Sequence, residues 1–169
     1  MSTQTMPNFL SPLNFKFQLK RAPNLNFFVQ KVNIPGLSLP NIDVNNPLIR
    51  TPYSGDHLLF DELSITYKVD ENLDNYMEIH NWIRALGKPS FQEYKNLKTK
   101  LAYTGESLCS DISITILTSY KNPNYEILFT DAFPISLNGV DFNTINEDIN
   151  YVETTATFKY TTYTIKKVI

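Results

Sequence analysis

The residues able to do chemistry are few, and their spacing does not suit it. The chain has 169 residues, with one cysteine and two histidines. Neither histidine lies in an HExxH helix and Cys109 has no CxxC partner for zinc. No glycine-rich phosphate loop and no G-x-S-x-G nucleophile elbow occurs. Two pairs of adjacent carboxylates, Asp61-Glu62 and Asp70-Glu71, are of the type used in general acid–base catalysis. Neighbours in an extended segment point to opposite faces, so Asp61 and Glu62 cannot converge on one substrate, while Asp70 stands where a helix cap is expected. Asp141, Asn143, Glu147 and Asp148 share a loop, the sharp reading of which is a calcium site. The EF-hand spacing with its glycine at the sixth loop position is missing, so a solvated turn is the plainer reading. His80 reads as a surface residue on the polar shoulder of a helix beside Trp82, and Cys109 as a small buried hydrophobe. The expectation is a protein that is not an enzyme and uses no metal or cofactor.

The clearest elements lie between Gly55 and Gly87. Leu63, Ile65, Tyr67 and Val69 alternate with Glu62, Ser64, Thr66 and Lys68, the period of a half-buried strand. The period then changes. Asp70 and Asn72 are N-cap residues, and Asp70, Glu71 and Asp74 put negative charge where first-turn amides favour it. Leu73, Tyr76, Ile79, Ile83 and Leu86 recur at threes and fours, which predicts one helix face packed on a sheet. Gly87 is expected to stop the helix in the left-handed conformation, with Pro89 preventing its resumption.

Before this block, Phe15, Phe17 and Leu19 alternate with Lys16, Gln18 and Lys20 as a first strand. Arg21-Ala-Pro-Asn24 reads as a turn into a second strand, NLNFFVQKVNI, and together they suggest a short meander. Residues 35–52, rich in Pro and Asn, read as a long extended loop or a protruding hairpin. After the helix, Phe91, Tyr94, Leu97 and Leu101 allow a second short helix. Ile112, Ile114 and Ile116 and then Tyr125, Ile127 and Phe129 form a hairpin about a turn at Lys121-Asn-Pro-Asn124. The chain closes with PISLNGV, a polar acidic loop and one long strand, YVETTATFKYTTYTI. On that strand Val152, Ala156, Phe158 and Tyr160 share one face. Many strands, one firm helix and no βαβ alternation predict a mainly antiparallel β-sandwich or barrel with a flanking α-helix.

At 42% hydrophobic residues the chain suits one domain over 14–169, preceded by a mobile arm over 1–13 that Pro7 and Pro12 interrupt. A formal charge of -2 with scattered Lys and Arg argues against holding nucleic acid by phosphate neutralisation. One cysteine allows no intrachain disulfide. No basic leader with an apolar run and no membrane-length apolar segment is present, so synthesis and retention in the cytoplasm are expected unless other machinery exports the protein. Thr-rich strand faces, long loops at 35–52 and 88–108 and the edges of an open sheet suit an assembly subunit.

The run Gly55-Asp56, Phe60-Asp61, the alternating LSITYKV, the acidic cap and the helix carrying Trp82 resemble the tail tube family of contractile-tailed bacteriophages. Gly87-Lys88-Pro89 with Glu93-Tyr94-Lys95, the segment IPGLSLP at 34–40 and the Thr-rich strand 151–165 resemble the same family. The resemblance implies a β-sandwich with a flanking helix, six-fold rings stacked into a tube, and sheets of neighbouring subunits joined into one barrel around a lumen through which the genome passes. It implies as partners other copies of the chain, together with sheath and baseplate proteins, and a place in the virion tail. A baseplate tube initiator, a tail terminator, and the tube of a related injection or secretion system share the fold and stand as alternatives; a tail lysozyme is disfavoured by the residue inventory. Because a tube must hold DNA poorly, its lumen is expected to be weakly acidic and hydroxyl-lined. The residues expected to face it are Glu62, Ser64, Thr66 and Lys68, and Glu153, Thr155, Thr157, Lys159 and Thr161.

Overall fold

A computed structural model describes residues 9–45, 47–87, 90–92, 94–96, 108–143 and 151–168. The first strand, β1 (Phe15–Leu19), buries Phe17 and Leu19, as its alternation requires. Pro23–Phe27 then forms a 3₁₀ helix rather than the start of a strand, with Pro23 in its first turn and Leu25 buried. Proline tolerates a helical first turn, where its missing N–H is no loss. The second strand is therefore short, β2 (Val29–Val32).

No meander forms. β1 pairs with β8 (Ser110–Leu117), whereas β2 pairs with β7 (Leu63–Lys68), and β1 and β2 lie at opposite ends of the main hydrogen-bonded array. That array runs β1-β8-β9-β10-β7-β2, with β9 at Pro123–Leu137, β10 at Glu153–Lys159, and β11 (Thr162–Lys167) added to β9. Every pairing is antiparallel. The predicted hairpin forms, with Ile112 opposite Phe129 and Ile114 opposite Ile127 and register shifts between Ser110 and Ile112 and between Ile116 and Leu117. Lys121 takes φ 61° in its turn.

The expected single closing strand is two strands. β10 pairs with residues 133–137 of β9, and β11 pairs with residues 125–130. At the same level β9 turns through Asp131, whose φ is 55° and whose N–H donates to Asp111 Oδ1 at 3.3 Å. Both strands thus change sheet together, and the array closes over its apolar side as a sandwich. One core results, with Phe17, Leu19, Ile112, Ile114, Ile127 and Phe129 from one sheet and Leu63, Ile65, Tyr67, Ala156 and Phe158 from the other. Tyr160 fills the corner edge-to-face on Phe129 at 4.9 Å and donates its hydroxyl to the Asp61 carbonyl at 2.8 Å.

The helix, α1 (Asp74–Gly87), differs from expectation at both ends. Leu73 precedes it at φ 61°, and the Leu73 carbonyl accepts the first helical bond, from Met77 N–H. Leu73 is consequently exposed rather than packed on the sheet. Asp70 contributes its backbone carbonyl, to Leu73 N–H, instead of a side-chain cap. The inward face holds Asn75, Ile79, Trp82 and Ala85, with Ile83 and Leu86 half-buried against the core. Tyr76 is half-buried and stacks on His80 at 6.2 Å. The buried stripe thus runs through Asn75, Ile79, Trp82 and Ala85, rotated slightly from the expected Tyr76, Ile79, Ile83 and Leu86. Gly87 is the last helical residue, and its φ is outside the left-handed range. Lys88 and Pro89 lie outside the described residues, as do Leu97 and Leu101, expected to share a second helix; residues 91–92 and 94–96 are helical, and Phe91 is exposed.

Residues 35–60 carry two small ladders. β3 (Leu37–Ser38) pairs with β6 (Leu59–Phe60), and β4 (Asn41–Asn45) with β5 (Arg50–Ser54) in a hairpin whose every described residue is exposed. At its base Gly55 N–H donates to the Pro40 carbonyl at 2.7 Å. A β-carbon at Gly55 would stand 2.6 Å from that oxygen, so the approach requires glycine. Of the expected N-terminal arm, residues 1–8 are outside the description, and Phe9 and Leu13 are exposed.

Candidate functional site

The two residue sets read as lumen candidates lie across from each other on one face. In the β7–β10 ladder Lys68 pairs with Glu153, Thr66 with Thr155 and Ser64 with Thr157. One step further, Lys159 Nζ meets Glu62 Oε1 at 3.2 Å. The Thr66 and Thr155 hydroxyls are 3.0 Å apart and hydrogen-bonded. Lys68 Nζ also sits 4.6 Å over the Tyr151 ring. Acid faces base at both ends of the ladder, and hydroxyl faces hydroxyl between, the cross-strand pairs that favour a sheet surface. Thr161 stands apart from them. It is exposed at the corner between β10 and β11, where its N–H donates to the Thr130 carbonyl at 3.0 Å.

The flanking strands extend this face. On β2, Lys31 is opposite Thr66, and beyond it Asn33 clamps the strand end, accepting from Ser64 N–H at 2.6 Å and donating to the Glu62 carbonyl at 3.1 Å. On β9, Ser136 is opposite Thr157 and Phe133 opposite Lys159. Lys31, Asn33 and Ser136 escape a reading by period, because a register shift between Val29 and Lys31 and another between Thr157 and Phe158 break the alternation. The reverse face of the sheet is the core, where Leu63, Ile65, Tyr67, Thr154, Ala156 and Phe158 are buried.

What holds this sheet rigid lies behind it. Asn75 is fully buried; its Nδ2 donates to the Lys68 carbonyl at 2.8 Å and its Oδ1 accepts from Asp70 N–H at 3.3 Å, fastening α1 to the end of β7. Trp82 donates Nε1–H to the Leu108 carbonyl at 3.0 Å, packs on Phe158 at 6.1 Å and carries the Arg21 guanidinium at 4.9 Å. Burial pushes the Tyr67 hydroxyl well above the usual phenol range, with Tyr76 and Glu78 adding to it. Burial likewise raises Glu78, opposed by hydrogen bonds from Asn24. The Tyr160 hydroxyl is pushed up to about 12, first by burial and then by Tyr163 and Asp61.

The other chemical candidates do not converge. Cys109 is half-buried rather than buried, and its thiol is raised by burial and by Asp131, the reverse of an activated nucleophile. His80 is half-buried under Tyr76 rather than free on the surface. Asp141 and Asn143 are exposed, whereas Glu147 and Asp148 lie outside the described residues. Among the described residues no three His, Cys, Asp or Glu side chains are grouped to hold a metal ion, and no helix is long and apolar enough to cross a membrane.

The surface most unlike that of a solitary domain is apolar. The β4–β5 hairpin exposes Ile42, Val44, Leu48, Ile49 and Tyr53, and Ile34, Leu37, Leu39, Leu58 and Leu59 are exposed beside it in sequence.

Solved structures share this fold over nearly the whole chain. The sheath–tube complex of an extracellular contractile injection system in its extended state contains a chain that aligns with a TM-score of 0.66 at 12% identity, over 96% of this chain and 95% of that one. A chain of the anti-feeding prophage baseplate, 6-fold symmetrised, aligns at 0.63 and 11% identity over 95% and 97%. One from the tube-terminating cap of the anti-feeding prophage aligns at 0.62 and 12% over 99% and 100%. No curated protein matches. At such identities these likenesses establish the fold, a tail-tube-like sandwich. A sequence-family model, that of the phage tail tube protein, matches residues 4–166. With almost its entire length inside that match, the chain belongs to the phage tail tube protein family.

Proposed function

We propose that the chain is the repeating subunit of a contractile tail's inner tube, in which six copies form a ring, rings stack, and the β2-β7-β10-β9 sheet faces the lumen. The observation that carries this reading is a polar, cross-strand-paired face flanked by two open edges. Among the described residues β2 pairs only with β7, and residues 133–137 of β9 only with β10. Joining the β2 edge of one copy to the β9 edge of the next abolishes both edges, and a heterologous contact of that kind closes into a ring. Four strands from each of six copies, spaced about 4.8 Å and tilted about 40°, give a barrel on the order of 50 Å between facing backbones. The hydroxyl and paired-charge face then lines a channel for DNA, which passes without specific binding. The exposed apolar hairpin supplies the contact between stacked rings. Residues 14–169 act as the tube domain, sheath and baseplate proteins are its other partners, and the finished place of the protein is the virion tail.

The alternative reading is a single ring, as a baseplate initiator or a tail terminator. It is supported by the equally full alignment with the baseplate and cap chains. A tube of a related injection system is the other alternative, since the sheath–tube chain has the higher TM-score of the three. Negative-stain microscopy of the purified protein at rising concentration decides between stacked and single rings. Stacked tubes support the proposal, rings that never stack support an initiator or terminator, and a persistent monomer even with a baseplate template contradicts all three.

A further inference from the structure

Among the described residues the two strands left with an open side, β2 and the end of β9, are both interrupted, and each interruption lies in the edge strand itself. On β2, Val29 is opposite Tyr67 and Lys31 opposite Thr66, which leaves Gln30 as an extra residue bulged out of the ladder. On β9, Pro134 is opposite Phe158 and Ser136 opposite Thr157, so Ile135 is bulged in the same way. Both bulged residues are exposed. Neither is needed to send its neighbours to the correct face. Without Gln30, Val29 would still lie on the core side with Tyr67 and Lys31 on the polar side with Thr66; without Ile135, Pro134 would keep the side of Phe158 and Ser136 that of Thr157. The edges are blunted further. Pro134 has no N–H to offer an added strand, and proline within a strand belongs at an edge or a bulge. Asn33 ends β2 with its side chain, taking the Ser64 N–H at 2.6 Å and the Glu62 carbonyl at 3.1 Å where a longer edge strand would use its backbone. On the edge-to-edge joint put forward above, we propose that Gln30, Ile135 and Pro134 are gatekeepers of assembly: they keep the open edges from pairing indiscriminately and admit only the kinked edge of another copy, in the one register that sets Gln30 beside Ile135. Neighbours along β9-β10-β7-β2 are all antiparallel. Four strands per copy is an even number, so β2 of one copy meets β9 of the next antiparallel as well. A straight strand laid on either edge loses ladder bonds as it passes the bulge, whereas two edges kinked at matching positions bond on both sides of it.

The test uses the full chain, with circular dichroism to show that each variant is folded. Deletion of Gln30 and deletion of Ile135 each straighten an edge, and Pro134→Val restores an N–H at unchanged chain length should a deletion unfold the domain. Light scattering should begin at roughly tenfold lower protein concentration in these variants, the order that one backbone hydrogen bond contributes to an association constant. Negative stain should show irregular aggregates and open sheets in place of closed rings. Unchanged onset and unchanged rings in the folded variants overturn the inference. The register is read by a short bis-maleimide on Gln30→Cys with Ile135→Cys in a Cys109→Ser background, which should link copies of one ring into a ladder on a denaturing gel; rings that give no ladder overturn the matched register. The joint itself is checked by amide exchange on rings of the unmodified protein, where residues 29–32 and 135–137 should become protected. No ring at all, or rings whose edge amides stay unprotected, defeats the joint and the inference with it. Protected amides with variants that assemble as the unmodified protein does defeat the inference alone.

Discussion

Residue by residue, the chain divides its side chains by register rather than by composition. Thr157 and Phe158 are neighbours, yet one belongs to the hydroxyl ladder and the other is fully buried against Trp82. Phe158→Asp should abolish the cooperative thermal transition, because an ionised carboxylate loses far more solvation than the core can return. Thr157→Lys should leave circular dichroism and melting nearly unchanged while impairing DNA passage in virions that carry it. Normal ejection by such virions would mean that β10 does not line the lumen. Glu78 gives a prediction in pH. Burial raises its folded pKa above the unfolded value, so its ionisation opposes folding: this cost is absent below the unfolded pKa and grows as pH rises towards and through the folded one. Glu78→Gln retains an acceptor for Asn24 and removes the charge. Relative to the unmodified protein, its melting temperature should therefore improve on going from acid to neutral pH, and a constant difference between the two would contradict that electrostatic reading.

At the scale of elements, the strands that alternate cleanly are legible in the sequence and those that bend are not. Leu63, Ile65 and Tyr67 announce β7, and the alternating isoleucines and aromatics announce the β8–β9 hairpin, though not the register shifts at its two ends. The face of β10 is likewise readable, since Ala156, Phe158 and Tyr160 repeat at twos. Nothing in YVETTATFKYTTYTI marks the break after Lys159, because the corner is made by tertiary contacts of Tyr160 and Thr161 and by Asp131 on another strand. The phase of α1 is hidden for a comparable reason. Leu73 fits the apolar period, but its positive φ keeps it out of the helix, while Asn75 is polar by type and yet the residue that ties α1 to β7. Of the face proposed to line the lumen, the residues on β7 and β10 can be named from their alternation, but their direct opposition cannot, because pairing between strands so far apart in the chain leaves no local signal. Ile79→Ala should cost about 2–5 kcal/mol as a buried large-to-small change, and Asn81→Ala on the exposed side under about 0.5 kcal/mol. Equal melting temperatures for the two variants would refute this phase of the helix. Gly55→Ala should loosen the base of the β4–β5 hairpin, seen as faster amide exchange at residue 55 and its neighbours, since the new methyl would collide with the Pro40 carbonyl.

For the molecule as a whole, membership of the phage tail tube protein family makes assembly the activity to explain. Among the described residues the polar sheet ends at two open edges, β2 and residues 133–137 of β9, and the hairpin exposes Ile, Val, Leu and Tyr; under the proposal another copy completes each of them. Replacing Ile42 and Val44 with serine should spare the monomer's melting curve and single rings but reduce stacking into tubes, measured by sedimentation. The most direct measurement is a cryo-electron-microscopy reconstruction of particles assembled from the purified chain. The proposal predicts a six-fold ring in which the β2 edge of one copy meets the β9 edge of the next, with Thr66, Thr155 and Thr157 lining the bore and rings stacked through the hairpin. A ring with that ladder on its outer wall, or no closed ring under any condition, would contradict it.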